Sequence, residues 1–124
     1  MVVFMDKQFR VLIKRVGEPP EEKIINGTLE EYQEIVGGLI EVISYQDVLL
    51  IGNDESKLLK MQPNLNFDYD YICGDCFFIG DDYENAGFKS LTDVQIKNLK
   101  EMIEEKAFKY SPLNLNKTME ERDC

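Results

Sequence analysis

Apolar and polar residues follow their clearest pattern over residues 28–43, which predicts a short helix followed by a strand. Thr28 and Glu31 have the spacing of a capping box, so the helix is expected to begin after Thr28. Gly37 and Gly38 are expected to end it, because glycine adopts the left-handed backbone conformation of a helix C-terminus without a steric penalty. Four apolar residues fall on one face of this helix and are predicted to be buried: Leu29, Tyr32, Ile35 and Val36.

Strand patterns lie on both sides of this junction. Residues 39–45 and 48–52 predict a hairpin whose turn is formed by Gln46 and Asp47. Residues 62–67 are expected to form a loop or a single helical turn, and residues 80–87 a polar turn. Further strands, rich in β-branched and aromatic residues, are predicted at residues 9–16, 23–25 and 71–79, the last with a kink at Gly74.

A second, longer helix is predicted over residues 91–106. Ser90-Leu-Thr-Asp93 has the pattern of a capping sequence and is expected to open this helix. Its buried stripe is expected to consist of Leu91, Val94, Leu99, Met102 and Ile103.

In chain order these elements predict an α+β fold, a mostly antiparallel β-sheet of about five strands with two α-helices packed on one face of it. The length of 124 residues fits a single domain, expected over residues 1–110, with a polar C-terminal tail over residues 111–124. No apolar run approaches the ~20 residues that span a bilayer, and the N-terminus lacks the features of a signal peptide. We therefore expect a cytoplasmic protein.

The charge balance narrows the class of partner. Acidic residues number 24 against 14 Lys and Arg, a formal net charge of -10. A nucleic-acid binder needs cations to replace phosphate counterions, so direct nucleic-acid binding is not expected, and neither is binding to an anionic membrane. The acidity fits a partner with a basic surface, and it also fits a role in solubility alone.

The chain contains no histidine, the usual general base near neutral pH and the commonest metal ligand. No Ser-His or Cys-His nucleophile pair can form, and no cofactor motif is present. We therefore expect a protein that is not an enzyme, holds no cofactor or metal, and acts by binding. A homo-oligomer is compatible with these observations.

The segment between Met61 and Phe88 contains no Lys or Arg and is rich in carboxylates. A solvated loop, a docking surface for a basic protein and a divalent-metal site all fit this pattern. The later ligands and the glycine of a calcium-binding EF-hand loop are missing. The docking surface is predicted to consist of Asp68, Asp70, Asp81, Asp82 and Glu84.

A nucleotide-binding site is the alternative. Tyrosine rings can stack on a base, and lysines near polar turns can bind an anion, although the same tyrosines can equally pack in the core. The residues of this alternative site are Lys57, Tyr69, Tyr71, Tyr83 and Lys89.

Cys73 and Cys76 have the spacing of a zinc half-site or a dithiol. We expect reduced cysteines that belong to the core. A redox-active pair and a zinc ion shared across a dimer are the alternatives.

Several motifs along the chain carry a family resemblance: Gln33-Glu-Ile-Val-Gly-Gly38, Ile40-Glu-Val42, Asn53-Asp-Glu-Ser-Lys-Leu58, Pro63-Asn64, Gly74, Phe78-Ile79 and Phe88-Lys-Ser-Leu-Thr-Asp-Val-Gln95. They resemble a small uncharacterised family, the domain of unknown function 3846 type, found in phages, plasmids and conjugative elements of Gram-positive bacteria. The resemblance covers roughly residues 9–103, and Cys73 and Cys76 depart from the usual pattern.

The resemblance implies an accessory gene of a mobile element and no particular chemistry. Together with the acidity, it leads us to expect a non-enzymatic phage or mobile-element protein with an acidic binding surface. This protein would bind and inhibit a host protein of anti-phage defence or nucleic-acid processing. The alternative function is a sponge that sequesters an immune signalling nucleotide.

Overall fold

The computed structural model describes residues 8–108, so the expected tail over residues 111–124 lies outside the described range. Within that range the chain forms eight strands and two helices. In chain order they are β1 (Gln8–Lys14), β2 (Glu21–Asn26), α1 (Leu29–Val36), β3 (Ile40–Tyr45), β4 (Val48–Asn53), β5 (Pro63–Asn66), β6 (Tyr71–Cys73), β7 (Cys76–Asp82), β8 (Gly87–Lys89) and α2 (Asp93–Lys106).

Six of the strands form one antiparallel sheet. Its strand order is β2-β1-β7-β4-β3, and β8 pairs with the C-terminal end of β7. β5 and β6 form a separate two-stranded antiparallel sheet. The α+β class with a mostly antiparallel sheet is therefore confirmed, with six strands in the main sheet where about five were expected.

The two helices lie on opposite faces of the main sheet, so the expectation that they share one face is wrong. Residues 48–51 and 76–79 are consecutive apolar runs in the central strands, and every residue in them is buried. Ile51 and Phe77 pack with α1, whereas Leu50 and Phe78 pack with α2. Successive side chains of a strand point to opposite faces, so two apolar faces each need a covering element.

α1 has the predicted bounds because local residues cap both of its ends. The Thr28 hydroxyl accepts a hydrogen bond from the N–H of Glu31 at 3.2 Å. Gly37 follows the last helical residue with a φ of 80°, the left-handed conformation that glycine favours. The Glu31 carboxylate departs from the capping-box prediction, because it accepts from the N–H of Asn26 at the end of β2.

α2 begins at Asp93 because Thr92, and not Ser90, is its N-cap. The Thr92 hydroxyl accepts from the N–H of Gln95 at 3.1 Å, and the Gln95 side chain accepts from the N–H of Thr92 at 3.0 Å. This reciprocal pair is a capping box. The Ser90 hydroxyl instead accepts from the N–H of Arg10 at 2.9 Å, which ties the segment before α2 to β1.

Each helix exposes one residue that was predicted to be buried. Leu29 in α1 is 56% exposed, whereas Tyr32 and Val36 are buried. Val94 in α2 is 67% exposed. The first buried residue within this helix is Ile96, two positions later. The buried residues of α2 are Ile96, Leu99 and Ile103.

The small sheet is joined to the main sheet by a buried asparagine. Residues 63–66 form β5, where a loop or helical turn was expected. Asn64 is fully buried, and its amide donates to the carbonyls of Lys14 and Gly74, both at 2.9 Å. Its side-chain oxygen accepts from Nζ of Lys14 at 2.9 Å. These contacts connect β5 to β1 and to the bend at Gly74, where the expected kink separates β6 from β7.

We expect Asn64→Ala to lower the free energy of unfolding by about 2–4 kcal/mol, because two buried carbonyls lose the amide that donates to them and the buried amine of Lys14 loses one of its two acceptors. Urea unfolding followed by circular dichroism measures this change. Asn98→Ala is the control, since Asn98 is exposed on α2 and its loss should change stability by less than about 0.5 kcal/mol. Equal stability of the two variants would refute the structural role of Asn64.

Candidate functional site

The five predicted docking carboxylates separate into two groups, one on the small sheet and one on the main sheet. Asp68 and Asp70 precede β6, and Asp70 lines a pocket together with residues that follow β4. Asp81 and Asp82 end β7, beyond the position where Val48 at the start of β4 pairs with it. Asp68 and Asp70 lie in the β5–β6 connection of the small sheet, whereas the other three lie on the β7–β8 hairpin of the main sheet. The five carboxylates therefore belong to two different hairpins.

Asp68 and Asp70 both have a lysine partner. Nζ of Lys106 lies 3.4 Å from the Asp68 carboxylate, and Lys57 forms an ion pair with Asp70. The hydrogen bond from Lys57, with one from the N–H of Tyr71, lowers the pKa of Asp70. A basic partner at Asp68 and Asp70 would have to compete with these intramolecular cations.

Asp81, Asp82 and Glu84 lie on the hairpin formed by β7 and β8, residues 80–89, which we call the acidic hairpin. Asp81 pairs with Phe88 in the strand ladder, so the backbone at this carboxylate is held by the sheet. Asp81 and Glu84 form no ion pair with any residue in the range 8–108. Their negative charge is therefore not neutralised by the described part of the chain.

The acidic hairpin continues directly from the buried part of β7. The predicted polar turn over residues 80–87 is therefore only partly a turn, because β7 extends to Asp82 and β8 begins at Gly87. Gly80 pairs with Val48 of β4 and with Lys89 of β8. A Cβ atom at Gly80 would lie 2.7 Å from the Lys89 carbonyl oxygen, so this close approach requires glycine. The turn itself is closed by a hydrogen bond from the N–H of Ala86 to the carbonyl of Tyr83 at 3.4 Å.

Two further side chains lie at this end of the sheet. Tyr83, in the turn of the acidic hairpin, is 71% exposed. Asp47 lies in the β3–β4 turn, next to Val48, and its carboxylate accepts from the side chain of Gln95 at 2.9 Å. Asp47 was predicted as a turn residue of the hairpin over residues 39–52, but it was not included among the predicted site residues. Exposed aromatic residues beside charged groups are common anchors of protein interfaces.

A pocket of about 270 Å³ opens between the β3–β4 pair and β6. Four acidic residues line it together with a single cationic side chain, Lys57: Glu41, Asp54, Glu55 and Asp70. Burial, followed by the negative charge of Asp54 and a hydrogen bond with it, raises the pKa of Glu41. Four carboxylates around one ion-paired lysine disfavour a phosphate group. The volume of the pocket is also below the lower limit of about 300 Å³ that is typical of small-molecule sites.

The five residues of the nucleotide alternative do not meet in one place. Lys57 and Tyr71 line the pocket just described, and the ring of Tyr71 also packs edge-on against Phe108. Tyr69 is 86% exposed and does not line that pocket. Tyr83 and Lys89 lie on the acidic hairpin, and neither of them lines that pocket.

The two cysteines of the Cys73-Gly-Asp-Cys76 motif are both buried, but they are not bonded to each other. Cys73 takes part in a disulfide, so the expectation of reduced cysteines is wrong for this residue. Cys76 is a free thiol, and burial raises its pKa to about 12. A thiol with so high a pKa is not a nucleophile near neutral pH.

Sequence reasoning also missed a buried lysine. Lys14 is 2% exposed, and its Nζ donates to the carbonyl of Arg15 at 2.6 Å and to Asn64 at 2.9 Å. Burial lowers the pKa of Lys14. The signal was its place two residues after Leu12 in a strand, which puts both side chains on the same buried face. Because its amine bonds to the protein's own groups, we assign Lys14 a structural role.

Residues 8–108 contain no group of three or more His, Cys, Asp or Glu side chains that could hold a metal ion. Neither helix in that range is long and apolar enough to cross a membrane.

These observations define a small α+β domain with an acidic hairpin at one end of its sheet. The family model of DUF3846, a domain of unknown function, matches residues 9–104. This match covers more than half of the chain, so the protein belongs to that family. No curated protein matches the chain, and no solved structure does. The family description names no activity.

We expect Glu41 to titrate by NMR above its ordinary pKa of about 4.3, because it is partly buried beside Asp54. Asp54→Asn should lower the pKa of Glu41, since it removes the neighbouring negative charge. Glu55→Gln, at an exposed neighbouring position, is the control and should leave it unchanged. An ordinary pKa for Glu41 in the native protein would contradict the partial burial of this carboxyl group beside Asp54.

We expect the stability advantage of the native chain over Cys76→Ala to shrink as the pH rises from about 9 towards about 12. The folded-state pKa is raised, so in this window the unfolded thiol ionises while the folded one stays protonated, and the native state loses stability. The loss should approach about 1.4 kcal/mol per pH unit. Urea unfolding of both proteins across this pH range measures the loss of stability. If the stabilities of the two proteins change in parallel with pH, the raised pKa of the Cys76 thiol is disproved.

Proposed function

We propose that this protein is a non-enzymatic accessory protein of a phage or other mobile element that acts in the cytosol of its host. It binds a host protein with a basic surface and inhibits it by occupying that surface. Family membership and the net charge of -10 support this proposal, but neither identifies the host protein.

The observation that carries the proposal is the acidic hairpin. Asp81 and Glu84 have no cationic partner among residues 8–108, and the hairpin that holds them is an extension of the buried strand β7. A rigid backbone reduces the entropy lost when a partner binds. The exposed ring of Tyr83, in the turn of the same hairpin, adds apolar contact area.

Asp68 and Asp70 contribute less in this proposal than the sequence prediction assumed. Each has a lysine nearby, so binding a basic partner there would exchange one ion pair for another. Exposed ion pairs contribute little net free energy, and the exchange would bring little affinity. The docking surface is therefore centred on Asp81, Asp82 and Glu84.

We expect the immobilised native protein to capture a host protein from bacterial lysate, with nuclease treatment making no difference. The variant Asp81→Lys/Glu84→Lys should capture at least about tenfold less, because it reverses the charge at the centre of the surface. Captured proteins are quantified by mass spectrometry. Capture should fall as the salt concentration rises, since screening weakens exposed charge interactions.

The matched control is Glu34→Lys/Glu104→Lys, which changes the net charge by the same amount. Both residues are exposed near the C-terminal ends of their helices, where a lysine is favourable to the helix dipole. This control should capture as the native protein does. Equal loss in both variants would show that only net charge matters, and loss on nuclease treatment would show a nucleic-acid bridge. Either result would refute the proposed surface.

A further inference from the structure

One edge of the main sheet is open. β3 pairs with β4 and with no other strand of the described chain. Tyr45 and Val48 close a two-residue turn, so they form a hydrogen-bonded pair, and such pairs alternate along an antiparallel ladder. The hydrogen bond from the N–H of Asp54 to the carbonyl of Leu39, at 2.8 Å, continues this alternation beyond β3.

The alternation determines which backbone groups face the open edge. Glu41, Ile43 and Tyr45 direct their N–H and C=O groups towards β4. The intervening residues of β3 direct theirs away from the sheet. The open edge therefore presents the backbone groups of Ile40, Val42 and Ser44.

The two edge strands of the sheet differ in their protection against pairing with another strand. β2, at the opposite edge, carries Glu21, Glu22 and Lys23, and Glu22 forms an ion pair with Arg10 at 2.7 Å. β3 contains no proline and no lysine, its register with β4 has no bulge, and its one charged residue is Glu41. Native proteins protect an exposed edge strand from pairing by means of charges, prolines or bulges. An edge strand without these features can pair with another strand.

Apolar side chains that lack cover lie along the same edge. Leu39, which precedes β3, is 55% exposed, and Val42 within it is 48% exposed. Leu58 is 77% exposed and lines the pocket beside Glu41. Exposed apolar side chains grouped beside free backbone groups mark an interaction surface.

We propose that β3 pairs with β3 of a second copy of this chain, antiparallel and about a two-fold axis at Val42. In this register Val42 lies opposite Val42 of the second copy. Glu41 lies opposite Ile43 of the second copy, and its own counterpart is a diagonal neighbour roughly 7–8 Å away, so the two carboxylates do not oppose each other directly. The exposed Leu39 lies opposite Tyr45 of the second copy, a half-buried ring at the other end of the strand.

The self-complementarity of the strand is what identifies the occupant. An isologous contact uses the same patch on both copies, and β3 satisfies its own open backbone groups without opposing charges. The two six-stranded sheets would become one continuous sheet. Ile43 of the second copy would then lie beside Glu41, at the border of the carboxylate-lined pocket. A single strand pair buries less area than the roughly 1,200–2,000 Å² of stable interfaces, so the dimer should depend on concentration.

Hydrogen exchange by NMR tests the register without any substitution. The full chain is compared at low and high protein concentration, in about 0.5 M salt so that repulsion between the acidic copies is screened. The amides of Ile40, Val42 and Ser44 should gain protection at high concentration. The amides of Glu41, Ile43 and Tyr45 should be protected at both concentrations, because they already bond to β4. No gain at Val42, or a gain centred on another element, would overturn the proposal.

Sedimentation equilibrium of matched variants tests the interface itself. The native protein should associate to a dimer, and Val42→Lys should weaken dimerisation by at least about tenfold, because the two-fold axis places lysine against lysine. Val94→Lys is the same substitution at an exposed valine of α2 and should dimerise as the native protein does. A native protein that is still monomeric at about 1 mM, or equal effects of the two variants, would overturn the proposal.

Discussion

The burial of the central strands on both faces is the constraint on which the rest of this structure depends. Phe77 and Phe78 are adjacent in β7, both are fully buried, and they point to opposite sides of the sheet. Neither face can be left to water, so α1 must cover one and α2 the other. The small sheet adds to the α2 face, and the Asn64 contacts hold it there by satisfying buried carbonyls that the apolar core cannot.

Once both faces are covered, the surfaces left for binding are the ends and the edges of the sheet. β7 emerges from the core at Gly80 and carries the acidic hairpin into solvent, so a buried strand determines the position of Asp81 and Asp82. β3 leaves its outer backbone groups unpaired at one edge. The proposed protein contact and the proposed self-association therefore use different parts of the same sheet and do not compete for side chains.

Local signals predicted the elements well and the site only in part. Thr28 and Gly37 placed α1 correctly because capping is a local interaction, whereas β5 was missed because four residues with a proline and two asparagines resemble a loop. The carboxylates were identified as residues, but their division into two groups was not. That division depends on which strands form each sheet and on lysines from distant segments that pair with Asp68 and Asp70.

The sequence by itself determined the α+β class, the bounds of α1, the kink at Gly74 and the acidic character of the chain, because these follow from residue type and short-range spacing. Only the tertiary structure decided which face each helix covers, which carboxylates remain without a cation, and which strand lies at the open edge. The continuous apolar run over residues 48–51 is typical of a strand that is buried on both faces, yet the two helices were expected on one face, and the run does not indicate which helix covers which face. The faces that the helices cover, the free carboxylates and the open edge all depend on contacts between segments far apart in the chain. The spacing of residues along the sequence does not show such contacts.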